Sequence, residues 1–264
     1  PLARGKSRSD NVQNIIDKIE TIKKKGVKEI VLTGINIGDF KNNKGEKLID
    51  LLKEIDKITN IRIRLSSIEP NLITSDIINL FSKSTTLVPH FHIPLQSGSD
   101  SVLKLMRRRY DSELYKSRIK RINRLMPDAC IGADVIVGFP GEDDDKFLES
   151  MSFIEDLDIS YLHVFKYSER NNTHAVTLPN IVNSNIRSKR SKLLRLLSSR
   201  KKAAFYNKNI GTIHEVLFES EDKNGFIEGF SSNYVRFRRK WDSSLTGCLV
   251  ESKFTEIDSE GFAT

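Results

Sequence analysis

The fold class follows from the stretch HFHIPLQSGS at residues 90–99, where a short apolar strand runs into polar, glycine-containing sequence. Outward from it, four similar strands are predicted, and the five strand centres lie near residues 31, 63, 92, 135 and 163. Amphipathic helical sequence separates them, including a long stretch at residues 100–126. A spacing of about 30 residues is that of βαβ units with right-handed crossovers. The pattern therefore predicts an α/β fold with parallel strands, either a β/α barrel or a doubly wound sheet.

The pattern changes after Val182. A long amphipathic helix is predicted next, and short strands broken by turns follow it to the end of the chain. We expect three parts: a β/α region at residues 1–182, a basic linker helix at 183–210 and a small all-β domain at 211–264.

Positive charge is concentrated in the first 210 residues. The formal charge is +8, but residues 1–210 hold 37 Lys and Arg against 25 Asp and Glu, whereas residues 211–264 hold 6 against 10. Residues 181–210 contain nine basic side chains and no acidic one. This segregation is typical of a surface that binds a polyanion, and a solvated helix face is the alternative.

The cysteine content and the apolar runs exclude several classes of protein. Cys130 and Cys248 are too few for a disulfide framework or a cysteine metal cage within this chain. No apolar run approaches the ~20 residues of a membrane span, and the first residues lack the apolar core of a signal peptide. We expect no metal ligand in this chain, no membrane partner and a cytoplasmic location.

All five predicted strands end in polar or glycine-containing sequence. In parallel β/α folds these carboxyl ends lie together and hold the functional residues. Glycine lets a ligand approach the backbone, and Ser, Asn and Gln offer neutral hydrogen bonds to a zwitterionic or nucleoside-like ligand. Turns favour the same residue types, but five such ends together predict a small-molecule site. The residues expected around one rim are Asn36, Ser66, Gln96 and Gly138, with His92 a further candidate.

Two short tracts carry clustered cations. Residues 106–110 (MRRRY) suit a phosphate, although a solvated helix end also favours cations. Residues 233–241 (NYVRFRRKW) alternate aromatic and basic side chains, the combination that binds single-stranded RNA. An edge strand with a basic solvent face has the same pattern.

Longer strings resemble the radical-SAM methylthiotransferases, most closely the branch that acts on N6-threonylcarbamoyladenosine of tRNA. HIPLQSGSD and VGFPGE are the strings specific to the family, and ARGKSRS and TGINIGDF point to the branch. The final β domain resembles a TRAM domain. The resemblance implies a partial (β/α)6 radical-SAM barrel followed by a small all-β, TRAM-like barrel. The matching strings lie at residues 1–9, 29–40, 64–70, 90–110, 132–142 and 165–175.

The resemblance also implies a reaction. A [4Fe–4S] cluster would bind S-adenosylmethionine and cleave it to a 5′-deoxyadenosyl radical, and a second [4Fe–4S] cluster on an N-terminal domain would deliver sulfur. The target would be C2 of the modified adenosine at position 37, in the anticodon stem-loop of tRNA. Its unactivated C–H bond resists acid–base chemistry.

Two departures from the family pattern stand out. The CxxxCxxC motif that precedes the segment matching Pro1–Ser9 is absent, so we expect a fragment that begins inside the barrel and is inactive alone. A smaller departure is Asn172, where the family usually has Gly.

Site residues are implied by the resemblance, position by position. The strand end that meets the amino group of S-adenosylmethionine matches Gly34, Ile35 and Asn36, and the next strand end matches Ser66, Ser67 and Glu69. The segment near its ribose and methionine matches Gln96 and Ser97, the adenine-side loop matches Gly138 and Phe139, and Arg4 lies beside the cluster loop. The RNA contacts expected from the basic tracts are Arg187, Arg190, Arg236, Arg238 and Arg239.

Two other functions agree with the same residues. One is methylthiolation of a ribosomal protein side chain, and the other is RNA binding by a β/α barrel without catalysis. The basic helix and the tract at 233–241 favour RNA over a protein substrate.

Overall fold

The computed structural model describes residues 8–222 and 224–264. They form two compact units, and each unit combines segments that are distant in the sequence. Unit 1 contains the chain up to Ile68, Leu72–His90 and Ile210–Thr264. Unit 2 contains Glu69–Asn71 and Phe91–Asn209. The compact units therefore group the three predicted parts differently, because the final β domain is counted with the first half of the β/α region.

The β/α part of unit 1 has two paired parallel strands, β1 (Glu29–Leu32) and β2 (Arg62–Leu65). Its helices bury their apolar faces, with Leu52 and Ile55 fully inaccessible to solvent. These helices are α1 (Val12–Lys23), α2 (Leu48–Ile55) and α3 (Ser75–Phe81). Asn11 caps the amino end of α1. Its side chain accepts a hydrogen bond from the Gln13 N–H, whereas Asp10 pairs with Lys18 at 2.6 Å.

Unit 2 is built on the parallel sheet β3-β4-β5. Strands that are neighbours in the chain are also neighbours in the sheet, an order found in a β/α barrel and in each half of a doubly wound sheet. The strands are β3 (His90–His92), β4 (Cys130–Val137) and β5 (Tyr161–Lys166). The helices are α4 (Asp100–Leu105), α5 (Ser112–Leu125), α6 (Asp144–Asp156) and α7 (Ser184–Lys208). The boundary between the two units falls inside β3.

The helical stretch predicted at residues 100–126 is divided into α4 and α5. Arg107 has φ 54°, in the left-handed region, and the Arg108 N–H donates to the Leu103 carbonyl at 3.0 Å. This is the pattern that closes a helix carboxyl end. Asp111 then starts α5 by accepting a hydrogen bond from the Leu114 N–H. The basic tract 106–110 is consequently a loop between two helices, and its Tyr110 is buried.

The final β domain is a four-stranded antiparallel sheet in the order β8-β7-β6-β9. Val216, Phe218 and Phe254 fill its core, each no more than 1% exposed. The strands are β6 (Ile213–Asp222), β7 (Phe226–Ser231), β8 (Arg236–Lys240) and β9 (Leu249–Lys253). This confirms the predicted change from a β/α region to a small all-β region. Within 8–222 and 224–264, no helix combines the length and the apolar character required to cross a membrane.

Candidate functional site: the strand ends of unit 2

A pocket of about 440 Å³ opens at the carboxyl ends of β4 and β5, where the sequence predicts ligand-binding residues. Aromatic rings and cations share its wall. The lining includes Arg107, Arg108, Phe139, Lys166, Tyr167 and Arg170. Its size suits a nucleoside-sized ligand, because small-molecule sites in proteins span about 300–1,000 Å³.

The loop after β4 requires glycine at position 138. Gly138 has φ +76°, and a Cβ there would lie 2.3 Å from Cγ of Arg187. Its N–H donates to the Glu142 carboxylate at 3.0 Å. A larger residue would therefore have to displace both the backbone and the arginine.

A buried ion pair holds the same loop to helix α7. Glu142 is 4% exposed, and its Oε1 lies 2.8 Å from Nη1 of Arg190, which is also 4% exposed. Nη1 of Arg190 also donates to the Glu142 carbonyl, and its Nη2 donates to Asp144 at 2.6 Å. Burial raises the pKa of Glu142 although the arginine favours the ionised form. The loop is thus fixed at both its first and its last residue.

Arg187 fixes the end of β5 in a similar way. Its guanidinium donates to the carbonyls of Tyr167 and Val182 and pairs with Glu169 at 2.5 Å. It is 7% exposed and lies over the Tyr167 ring, 5.2 Å from the centroid. Arg187 and Arg190 are predicted RNA contacts. That role stays a prediction, whereas the structure shows both side chains used inside unit 2.

Tyr167 presents an unsatisfied polar group in this region. Its ring meets Phe139 edge-on at 5.2 Å between centroids. Its hydroxyl is buried and has no hydrogen-bond partner among the described residues. A buried hydroxyl without a partner costs free energy that a ligand donor or acceptor would recover. The aromatic wall and this hydroxyl are compatible with the adenosyl part of S-adenosylmethionine.

Gln96 lies in the segment that follows β3 and has a strained conformation. Its φ is 69°, in the left-handed region that few residues other than Gly adopt. Its N–H donates to the Asp134 carbonyl at 2.7 Å, and its carbonyl accepts from the Ile136 N–H at 2.9 Å. Ser97 is 2% exposed and accepts a hydrogen bond from the Ser99 N–H. Such strain at a strand end is typical of functional sites.

A polar cluster on the same sheet includes two residues that the sequence analysis missed. Nε2 of His92 lies 2.9 Å from Oδ1 of Asp134, and the rings of His92 and His163 are 5.4 Å apart. Burial and the neighbouring His92 lower the pKa of His163. Asp134 and His163 are register partners on β4 and β5. Their alternation with buried Ala133 and Leu162 was the available signal, because every second residue of a strand shares a face.

The predicted residues in unit 1 are held less tightly. Ile35 is 79% exposed, and Nδ2 of Asn36 donates to Asp39 at 2.5 Å. The Ser66 N–H donates to the Leu32 carbonyl, but its buried hydroxyl has no partner among the described residues. Gly34 has no close contact that requires glycine. The rim expected for Asn36, Ser66, Gln96 and Gly138 draws on both units and stays a prediction, and Arg4 lies outside the described residues.

Ser67 and Glu69 are the remaining residues predicted to contact the cofactor. Ser67 is exposed in unit 1. Glu69 is counted with unit 2, where Oε1 lies 3.7 Å from Nη1 of Arg108. Glu69 is thus the carboxylate that faces the basic loop.

Two of the three β8 arginines that are predicted to contact RNA form ion pairs within the β domain. Arg236 pairs with Glu228 at 2.5 Å, and Arg238 pairs with Asp258 at 2.5 Å and with Glu260 at 2.9 Å. Arg239 is exposed. The RNA assignment of all three stays a prediction, and Arg239 has the most accessible charge.

The aromatic side chains of the same tract serve the core. Phe237 is 5% exposed, and the Tyr234 ring stacks between His90 at 4.3 Å and Phe230 at 4.8 Å. The alternation at residues 233–241 therefore reflects a strand with one buried face, which was the alternative interpretation. Trp241, 36% exposed, keeps a ring surface open to solvent.

The described residues do not hold a metal cluster. Within 8–222 and 224–264 there is no group of three or more His, Cys, Asp or Glu side chains placed to bind a metal ion. The whole sequence has two cysteines, fewer than the three thiolates that the family motif supplies to one [4Fe–4S] cluster. The chain does not fit the cluster, and its ligands lie outside these 264 residues.

Comparison with known proteins identifies the family. The radical SAM superfamily matches residues 2–154, more than half of the chain. The chain belongs to the radical SAM superfamily.

Curated relatives of this chain indicate a smaller group within that superfamily. A protein named threonylcarbamoyladenosine tRNA methylthiotransferase MtaB, from Bacillus subtilis, is 37% identical over 96% of this chain and 58% of its own length. MtaB of Aquifex aeolicus is 36% identical over 91% of this chain and 58% of its own length. A tRNA-2-methylthio-N(6)-dimethylallyladenosine synthase of Fusobacterium nucleatum is 36% identical over 97% of this chain and 60% of its own length. The chain thus spans about three fifths of the length of these relatives.

Proposed function

We propose that the full-length protein is a radical-SAM methylthiotransferase that modifies C2 of N6-threonylcarbamoyladenosine at position 37 of tRNA. The observation that carries this proposal is the 37% identity to a threonylcarbamoyladenosine tRNA methylthiotransferase over 96% of the chain. The anticodon stem-loop is then the partner, and the cytoplasm is the place of reaction.

S-adenosylmethionine held on a [4Fe–4S] cluster would supply the radical chemistry that an unactivated C–H bond requires. The residues of this chain would bind and orient the cofactor. In unit 2, Phe139 and Tyr167 offer an aromatic wall and a hydroxyl to the adenosyl part, and Gln96 and Ser97 lie at the neighbouring strand end. In unit 1, the proposed contacts are Gly34, Ile35, Asn36, Ser66 and Ser67. Glu69 completes the set carried over from the family.

Exposed cations on α7 are the proposed contacts to tRNA phosphates. They are exposed to solvent, whereas Arg187 and Arg190 of the same helix are buried. The exposed members are Lys189, Lys192, Arg195, Arg200 and Lys202. Arg239 and Lys240 form a second basic patch on the β domain. Phosphate neutralisation by these side chains releases counterions, so binding should weaken steeply as salt rises.

Product analysis tests the proposed function. The full-length protein, with its clusters reconstituted under anaerobic conditions, is incubated with S-adenosylmethionine, a reductant, a sulfur source and tRNA carrying threonylcarbamoyladenosine. Mass spectrometry of the nucleosides should show the 2-methylthio derivative. The proposal would be contradicted if the tRNA stayed unmodified although the protein's clusters were active. It would also be contradicted if the methylthio group appeared on a ribosomal protein instead.

A binding measurement tests the proposed RNA surface separately. Arg236 and Arg238 are poor targets, because replacing either with Glu brings carboxylates together and disturbs folding. Arg239→Glu with Lys240→Glu should weaken tRNA binding by about 1–3 kcal/mol, the scale of a few charge-assisted contacts. Fluorescence anisotropy at two salt concentrations measures this. If neither the salt concentration nor the double substitution changed the affinity for tRNA, the β domain would not be part of the RNA-binding surface.

A further inference from the structure

The pocket of unit 2 is strongly cationic. Arg107, Arg108, Lys166 and Arg170 line it, and its described lining contains no Asp or Glu. Four like charges around one cavity repel one another, so their convergence favours an anionic ligand.

The cations of the pocket differ from the buried arginines beneath it. The guanidinium groups of Arg107 and Arg170 are exposed and have no hydrogen bond or ion pair to any described residue. Arg108 is 3.7 Å from Glu69, and Lys166 Nζ is 3.5 Å from the Ser188 hydroxyl. Arginines without protein partners remain available to an anion, for which the guanidinium geometry is well suited.

Arg107 also occupies a position where its own backbone is strained. It is the residue that follows the carboxyl end of α4, and its φ of 54° is a conformation for which Gly is favoured. Gly would close the helix at lower cost. An arginine at this position is explained if its side chain serves the pocket.

The pocket also has an exposed aromatic surface. Phe165 exposes 53% of its surface in a lining that it shares with Phe139 and Tyr167, whose rings meet edge-on. Ring surface next to free cations suits a ligand that joins a planar base to an anionic substituent.

We propose that this pocket binds the free carboxylate of the threonylcarbamoyl group, with Arg107 and Arg170 pairing with it. The inference rests on the proposed function and adds the basis of substrate choice. Threonine is joined to the adenine through its amino nitrogen, which leaves its carboxylate ionised at neutral pH. The dimethylallyl group in the names of the other relatives is an uncharged hydrocarbon, and free guanidinium groups gain nothing from it. The cations thus discriminate between the two modified adenosines.

Three anticodon stem-loops test this inference with the full-length protein and without S-adenosylmethionine. They carry adenosine, threonylcarbamoyladenosine or its uncharged methyl ester at position 37. Fluorescence anisotropy should give an affinity for the acid at least fivefold higher than for the ester. Arg107→Gln with Arg170→Gln should bring this ratio close to one. The control Arg109→Gln, an exposed neighbour outside the pocket lining, should preserve it.

A second variant separates binding from folding. Arg107→Gly relieves the left-handed strain, so its thermal midpoint should equal or exceed that of the wild type while the preference for the acid falls. Equal binding of acid and ester by the wild type would overturn this inference alone. The inference would also be overturned if Arg107→Gln with Arg170→Gln lowered the affinity for S-adenosylmethionine but kept the preference for the acid over the ester. The cations would then hold the carboxylate of that cofactor. Failure to bind any of the three RNAs contradicts the proposed function itself.

Discussion

The strand ends of the two units differ in how they are supported. In unit 2, the loop after β4 is fixed by Gly138, the buried Glu142–Arg190 pair and Arg187. In unit 1, the loop after β1 leaves Ile35 79% exposed and is held by a short-range hydrogen bond from Asn36 to Asp39. Similar polar, glycine-containing sequence is therefore supported by buried partners from a distant helix in unit 2 and by local contacts in unit 1.

The largest expected effect comes from removing the support of the unit 2 loop. Arg190→Met leaves Glu142 buried beside no cation, and the loss should be about 3–5 kcal/mol of unfolding free energy. Urea denaturation followed by circular dichroism measures it. The matched control is Arg200→Met on the exposed face of α7, which should change stability by within about 0.5 kcal/mol. Equal losses in both variants would show that the buried pair gives no special support.

A smaller effect is expected from the glycine of the same loop. Gly138→Ala combines a strained φ with a clash against Arg187, so it should cost about 1–3 kcal/mol. Gly45→Ala is the control, because Gly45 has φ +81° but a Cβ added there would meet nothing within 4 Å. The excess of the first loss over the second isolates the clash. Were the two losses the same, backbone conformation alone would explain position 138.

Unit 1 contains its own buried ion network, and this network makes its stability depend on pH. Glu29 lies 2.7 Å from Arg62 and 2.9 Å from Arg64, both at most 4% exposed. Burial alone would raise the pKa of Glu29, but the hydrogen bonds and charges of the two arginines outweigh it and hold the pKa below its usual value of 4.5.

The direction of the pH effect follows from that lowered pKa. The unfolded chain takes up the proton first, so the stabilisation is complete above about pH 4.5 and is lost as the pH falls through the lower folded pKa. Glu29→Gln should flatten stability against pH in this acidic range, besides lowering stability at neutral pH. Urea midpoints of wild type and variant across that range provide the check. Parallel curves would mean that Glu29 does not carry the acid response.

The order of secondary structure was accessible from the sequence because periodicity determines it. The 30-residue recurrence predicted the parallel strands, and the apolar stripe predicted α7. The break at Arg107 was not accessible, since it depends on a backbone conformation that an arginine seldom adopts. Asn172, where the family usually has Gly, has φ 64°, and Asn is among the few side chains that tolerate this region.

The roles of individual cations were beyond sequence reasoning. Arg187 and Lys189 lie two residues apart on one basic helix, yet the first is buried against Tyr167 and the second is exposed. The partners that decide this, Glu142 and Glu169, come from loops distant in sequence. The same limit applied to Tyr234, whose ring stacks on His90. A charge pattern identifies a helix face, but tertiary contacts decide which charges reach solvent.

Hydrogen exchange with mass spectrometry tests the account most directly. The full-length protein, with its clusters reconstituted, is compared with and without S-adenosylmethionine. We expect the cofactor to slow exchange clearly at residues 33–38 and 66–69 of the chain, where the strand ends of unit 1 are loosely held. At residues 138–142 of unit 2 the loop is already fixed, so exchange should be slow in both states and change little. Unchanged exchange at the unit 1 strand ends, or protection confined to residues 211–264, would contradict the assignment of the strand ends as the cofactor site.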